Sequence, residues 1–154
     1  MKIHIIGGSG SGKTFLAKKY SKEYNIPHYD LDDVMWDNKS DMYGVKRSLD
    51  ERKKILNQIL ENEDWIIEGV YYKWCKECFA SADKIYLLNV PRYKYRFRII
   101  KRFVLRKLKI EKGNRKKETL KSLIDLLKWA DNYQKEDMVE IRKLLEPYSE
   151  KVFE

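Results

Sequence analysis

The 154 residues carry 33 lysines and arginines against 24 acids, a formal charge of +9, with 43% hydrophobic and 37% charged residues. That length suits one domain with a real core, and no apolar run approaches the roughly 20 residues that a bilayer-spanning helix needs. The start lacks a signal peptide's order of basic, apolar and small-residue segments, so the expectation is a single cytoplasmic domain over residues 1–154 with no membrane partner.

Residues 3–6, IHII, read as a short buried strand. The turn after it (Gly7, Gly8, Ser9, Gly10, Ser11, Gly12, Lys13, Thr14) fits the phosphate-binding pattern G-x-x-x-x-G-K-[ST]. Backbone N–H groups can hold a nucleotide's anionic tail if they wrap closely around its oxygens, and glycine permits both the angles and the approach. The loop then feeds a helix N-terminus, whose unpaired N–H groups favour an anion. Lys13 is expected to reach the β- and γ-phosphates, and the Thr14 hydroxyl to ligate Mg²⁺.

The helix leaving the loop is expected over 13–24, with Phe15, Leu16, Tyr20 and Tyr24 near helical spacing. Pro27 opens a second strand, PHYDLD, that ends in acids. Residues 33–47 mix apolar and turn-forming residues and read as a loop with a helical turn. SLDE at 48–51 has the form of a capping box ahead of a helix that carries Leu49, Ile55, Leu56, Ile59 and Leu60. WIIEGV, 65–70, reads as the third strand, 72–81 as a short helix, and KIYLLNV, 84–90, as the fourth strand, stopped by Pro91. A long basic helix is expected from 92 to about 109, then an exposed loop at 111–117 and an amphipathic helix over Thr119 to Ala130. A last helix over 134–146 should end at Pro147, and KVFE opens a fifth strand.

Strands alternating with helices argue for a parallel sheet covered on both faces, where ligands bind beyond the carboxyl ends of the strands. Gly7, the pair Asp30 and Asp32, and the pair Glu68 and Gly69 all fall at such ends. Asp30 and Asp32 share one side of an extended segment. A carboxylate there can take a proton from an acceptor hydroxyl or hold Mg²⁺ through water, with Asp32 the first candidate. Glu68 follows three apolar residues and stands where a second Mg²⁺-orienting carboxylate belongs. Gly69 would let an acceptor pass close to the backbone; Tyr71, Tyr72, Lys73 and Trp74 could line its site or belong to the core.

Cys75 and Cys78 form one C-x-x-C, and the only histidines are His4 and His28, so both cysteines read as reduced residues on a short helix. Residues 92–117 hold thirteen lysines and arginines against one acid, Glu111, which points to a local anionic partner. Arg98, Arg102 and Arg106 recur every four residues and share one stripe. Arg98 and Arg102 are candidates to neutralise charge at a γ-phosphate; most of the other cations read as a solvated face.

The stretches GGSGSGKT, IPHYDLDDVMW, DWIIEGVYYKW and DKIYLLNVPRYKYRFRIIKR resemble the P-loop kinases related to adenylate and shikimate kinase. More narrowly, they resemble the DNA topology modulation (FlaR-like) proteins. The resemblance implies an α/β fold of three layers, α/β/α, with a parallel sheet and a basic, arginine-bearing helical lid over about 92–118. It also implies ATP or GTP with Mg²⁺ at Gly7–Thr14 and an acceptor near Asp30–Trp36 and Glu68–Trp74. Asp30, Trp36, Gly69 and Tyr71 thereby become substrate-binding candidates. Glu68 stands where adenylate kinases carry the aspartate of an LDG stretch, and relatives continue past KVFE.

The first functional reading is a small-molecule phosphotransferase. Its catalytic set is Lys13, Asp32, Glu68, Arg98 and Arg102, and its metal set is Thr14, Asp32 and Glu68. The alternative is a nucleotide-regulated nucleic-acid-binding protein that affects DNA topology; it rests on the basic segment and on the family label. Either reading leaves the oligomeric state open.

Overall fold

Ile3, Ile5 and Ile6 are all buried although they point to both sides of one extended segment, so that segment has to be covered on both faces. The computed structural model, which describes residues 1–37, 44–108 and 119–154, places it at the centre of a five-stranded sheet. The strands are β1 (Lys2–Gly7), β2 (His28–Asp30), β3 (Trp65–Gly69), β4 (Lys84–Leu88) and β5 (Val152–Phe153). Their order is β2-β3-β1-β4-β5 and every pairing is parallel.

One face is covered by α1 (Lys13–Tyr24), where Ala17 meets Ile3, Ile5 and Ile66. The other face is larger. Ile6, Ile67, Ile85 and Leu87 lie there under α2 (Leu31–Met35), α3 (Leu49–Leu60), α4 (Lys76–Ser81) and α7 (Met138–Leu145). The result is the expected α/β/α sandwich. Between β4 and α7 runs a hairpin of α5 (Arg92–Lys107) and α6 (Leu120–Asn132). Its own small core joins Tyr95 and Ile99 to Leu123, Leu127 and Ala130. Among the described residues no helix is long and apolar enough to cross a membrane.

Local signals explain several element ends. Ser48 and Glu51 form the expected capping box at the start of α3, with the Glu51 N–H donating to Ser48 Oγ and the Ser48 N–H to Glu51 Oε2. Thr119 and Ser122 do the same for α6. The second strand is shorter than expected. It stops at Asp30 because that side chain accepts from the Asp32 N–H at 2.8 Å and caps α2. The expected loop from 33 therefore begins inside a helix, and residues 38–43 of it lie outside the described set. The helix expected over 72–81 starts only at Lys76. The basic helix ends at Lys107, and the loop expected at 111–117, with the rest of the lid to 118, lies outside the described residues. The separate last helix is replaced by one helical rod from α6 through a π-helical turn at Tyr133–Asp137 into α7. Cys75 and Cys78 are buried free thiols, and Cys75 donates to the Tyr71 carbonyl.

Candidate functional site

The sheet register builds the site. Asp30, Glu68, Ile5 and Tyr86 fall in one row across β2, β3, β1 and β4, so their side chains share the face that α1 covers. Two strand-end acids are thereby aimed at the first turn of the helix that leaves the glycine loop. Thr14, in that turn, donates its hydroxyl to Glu68 Oε1 at 2.5 Å.

The loop itself is shaped by two left-handed residues. Gly10 sits at φ 76° and Gly12 at φ 103°, conformations that side chains rarely adopt. At Gly10 a side chain would also collide with the Tyr95 carbonyl, 2.7 Å from where its Cβ would lie. Gly12 is the N-cap of α1 and supplies no side-chain acceptor, so the first N–H groups of that helix depend on another partner. Lys13 folds back over the loop and donates from Nζ to the Gly8 carbonyl at 2.9 Å.

Charge is concentrated here and mostly removed from water. Burial pulls the Lys13 ammonium below its ordinary pKa, while Glu68, Asp30 and Asp32 pull it the other way. Burial also works against the Glu68 carboxylate. The His28 ring, with Nε2 at 3.7 Å, the Thr14 hydroxyl and the Lys13 charge outweigh burial and leave its pKa below the usual carboxylate value. Asp30 is pushed up to about 6, first by burial and then by the Glu68 charge.

The remaining candidates surround this pair. Tyr71 donates its hydroxyl to Asp32 Oδ1 at 2.8 Å. Burial and that neighbouring charge push the phenol well up. Arg98 reaches the loop from α5 and donates from Nη1 to the carbonyls of Gly10 at 3.1 Å and Ser11 at 2.9 Å. Arg102, one turn on, donates from Nη2 to Ser9 Oγ at 3.4 Å. Trp36 follows α2 and bridges to Lys46, whose ammonium lies 5.4 Å from the ring centroid.

A side chain at Gly69 would stand 2.8 Å from Leu31 Cβ, so the glycine makes room for the first residue of α2. Three residues outside the expected set also belong to the site's framework. His28 neighbours Glu68. Arg47 donates to the carbonyls of Asp33, Val34 and Trp36 and so closes the end of α2. Tyr133 donates to the Val70 carbonyl at 2.9 Å and lies against Gly8. Of these only His28 was within reach of sequence reasoning, because it alternates with Asp30 along a strand.

Among the described residues no three or more His, Cys, Asp and Glu side chains form a ready cage for a metal ion. A hydroxyl touching one ionised carboxylate is a donor set that suits Mg²⁺. That ion keeps several waters and binds through one or two carboxylates plus phosphate oxygens. Thr14 and Glu68 could hold it beside a nucleotide, with Asp32 contributing through water.

The chain is similar to the uncharacterized protein YqaC of Bacillus subtilis (strain 168), at 34% identity over 58% of this chain and 49% of that protein. It is 31% identical to an adenylate kinase of Clostridium kluyveri over 60% of this chain and 54% of that enzyme. The chain therefore spans about half the length of the curated relatives it matches. The solved structure of an uncharacterized protein from Eubacterium ventriosum ATCC 27560 has the same fold. Its TM-score is 0.52 at 20% identity, over 87% of this chain and 73% of that one. The AAA domain family model matches residues 6–122, from within β1 to the first turn of α6, and the chain belongs to this family of P-loop domains.

Proposed function

We propose that the chain is an ATP- or GTP-dependent phosphotransferase that uses Mg²⁺ and passes a phosphoryl group to a small-molecule acceptor. The observation that carries this reading is the contact of Thr14 with Glu68 beside the buried Lys13. A loop that served only as a turn would have no reason to bury a lysine and an ionised carboxylate together, at a desolvation cost to both. The likeness to an adenylate kinase supports the same reading.

In this reading the Gly7–Gly12 backbone and the N-terminus of α1 receive the anionic tail, and Lys13 swings from the Gly8 carbonyl to the β- and γ-phosphate oxygens. Thr14 and Glu68 would hold the metal ion, with Asp32 contributing through water. A bound Mg²⁺ would supply positive charge against the charge that builds during transfer. Asp32 orients the acceptor hydroxyl and takes its proton as the new oxygen–phosphorus bond forms and the bond to the leaving β-phosphate oxygen breaks. Tyr71 holds Asp32 in place through Oδ1. Arg98 and Arg102 lie along the rim of the loop, where a guanidinium can stabilise the transferring group. Trp36 lies at the acceptor end of α2.

The nucleic-acid reading has less support. Of the cations on α5, Arg92 and Arg96 are paired with Asp131, and Arg98 is turned to the loop. The test is nucleotide consumption measured against a panel of hydroxyl- and phosphate-bearing metabolites. At least one acceptor should stimulate turnover in the native chain, and Lys13→Ala should abolish that stimulation while the circular dichroism spectrum is retained. Turnover unchanged in that variant removes the proposal.

A further inference from the structure

Helix α5 has two faces, and the fold explains only one. Tyr95 and Ile99 pack on α6, while Arg98 and Arg102 reach the glycine loop. On the opposite side Tyr93, Phe97, Ile100, Val104 and Leu108 recur at spacings of four, three, four and four residues. At 3.6 residues per turn they fall on one stripe about 80° wide, centred away from Tyr95 and Ile99. All five are between 42% and 70% exposed. A helix face that merely meets water is polar; this one is apolar along its whole length. Lys94 and Lys101 border the stripe on one side and Lys107 on the other, and α5 holds eight lysines and arginines with no acid. The adjoining α6 leaves Leu120 and Ile124 exposed as well.

Three occupants can be weighed against this chemistry. A second copy of the chain would bring two helices of purely positive charge together, and like charges oppose that. A nucleic-acid strand would satisfy the lysines and stack on Tyr93 and Phe97, yet three of the five residues are aliphatic and offer a base no stacking plane. An anionic lipid surface suits every part. Aliphatic and aromatic side chains enter the boundary between headgroups and acyl chains, and the flanking lysines reach back to lipid phosphates.

We infer that the outward face of α5 docks on an anionic membrane surface, with the helix axis in the headgroup plane and the arginine-bearing face turned to the glycine loop. The inference is independent of the proposed phosphotransfer, since none of the stripe residues is assigned a part in it.

The experiment uses the full chain with vesicles of pure phosphatidylcholine and vesicles of phosphatidylcholine mixed with an equal amount of phosphatidylglycerol. The chain should sediment with the anionic vesicles only, and high salt should release it. Phe97→Ser with Val104→Ser should weaken binding roughly tenfold or more, because each removes an apolar side chain that would enter the lipid. Lys94→Gln and Lys101→Gln should each weaken it roughly fivefold. All these positions are exposed, so the circular dichroism spectrum and calorimetric nucleotide binding should not change. Absence of binding to anionic vesicles, or undiminished binding by the Phe97/Val104 variant, overturns the inference. So does stripe-dependent binding of labelled single-stranded DNA in place of vesicles, or a dimer in sedimentation that Phe97→Ser dissociates.

Discussion

The hydroxyl of Thr14 donates to Oε1 of Glu68 at 2.5 Å, joining the first turn of α1 to the end of β3 across 54 residues of sequence. The carboxylate is almost completely buried. It stays ionised only because Thr14, the His28 ring and the Lys13 charge offset the burial. Lys13 in turn is buried beside it, with its pKa drawn down. Each charge is tolerated on account of the other, so removing either should lower the stability of the fold.

Glu68→Gln keeps the size of the side chain and removes the charge. Lys13 would then be less well compensated, and stability should fall by about 1–3 kcal/mol in chemical denaturation. Nucleotide binding measured by calorimetry with Mg²⁺ present should weaken roughly tenfold or more. Without the metal, binding should stay the same or tighten, because a negative group near the polyphosphate has gone. An equal loss in both conditions would refute the metal role assigned to Glu68.

Arg98 bonds the carbonyls of Gly10 and Ser11 through Nη1, which anchors a planar guanidinium at the loop, and its fork of N–H groups matches phosphoryl oxygens in a way a point-like ammonium does not. Arg98→Ala should lower turnover by about 10³-fold, and Arg98→Lys should recover little of it. Because the side chain is exposed, the melting temperature should shift by no more than a few degrees. A melting loss as large as that of a core substitution would show that Arg98 is structural.

Asp30 gives a pH signature. Its carboxyl is raised from 3.8 to about 6, so the folded chain holds a proton there that the unfolded chain has already released. That stabilisation is complete below the unfolded pKa and is lost as pH rises through about 4 to 6. Asp30→Asn preserves an acceptor for the Asp32 N–H and removes the titration. Relative to the native chain, the variant should gain about 1 kcal/mol between pH 4 and pH 8, allowing for solvent screening at a partly exposed group. Denaturation curves at the two pH values measure it; a difference that does not vary with pH would rule out Asp30 as the titrating group.

The parts of this molecule that could be read from the sequence are those governed by near neighbours. The glycine loop between an apolar strand and a helix, the Ser48–Glu51 box and the stop near Pro91 each depend on residues within a few positions. The parallel sheet followed from the alternation of elements. What escaped was built by contacts between distant segments. Arg47 closes α2 by binding three carbonyls eleven to fourteen residues away. Tyr133 reaches Val70 across 63 residues, from inside a π-helical turn that no local propensity signals. The end of β2 was legible in principle, since aspartate favours N-caps, but the alternating pattern of PHYDLD hid it. Gly69 is ambiguous in the sequence, because a missing side chain looks the same whether it makes room for a ligand or for a packed leucine.

That ambiguity can be resolved by experiment. If Gly69 serves packing, Gly69→Ala forces a methyl group to within 2.8 Å of Leu31 Cβ and 3.0 Å of its Cδ1. Leu31 is completely buried at the start of α2 and cannot move aside freely. Overpacking of this kind costs about 1–3 kcal/mol. Leu31→Ala alone should also destabilise, by about 2–5 kcal/mol, since it empties a core position. Combined, the two should cost less than their sum, because the cavity left at 31 receives the methyl at 69. The coupling, read from denaturation of the four chains, should be at least about 0.5 kcal/mol in favour of the double variant. Strict additivity, together with a Michaelis constant for the acceptor raised by Gly69→Ala alone, would assign Gly69 to the substrate passage.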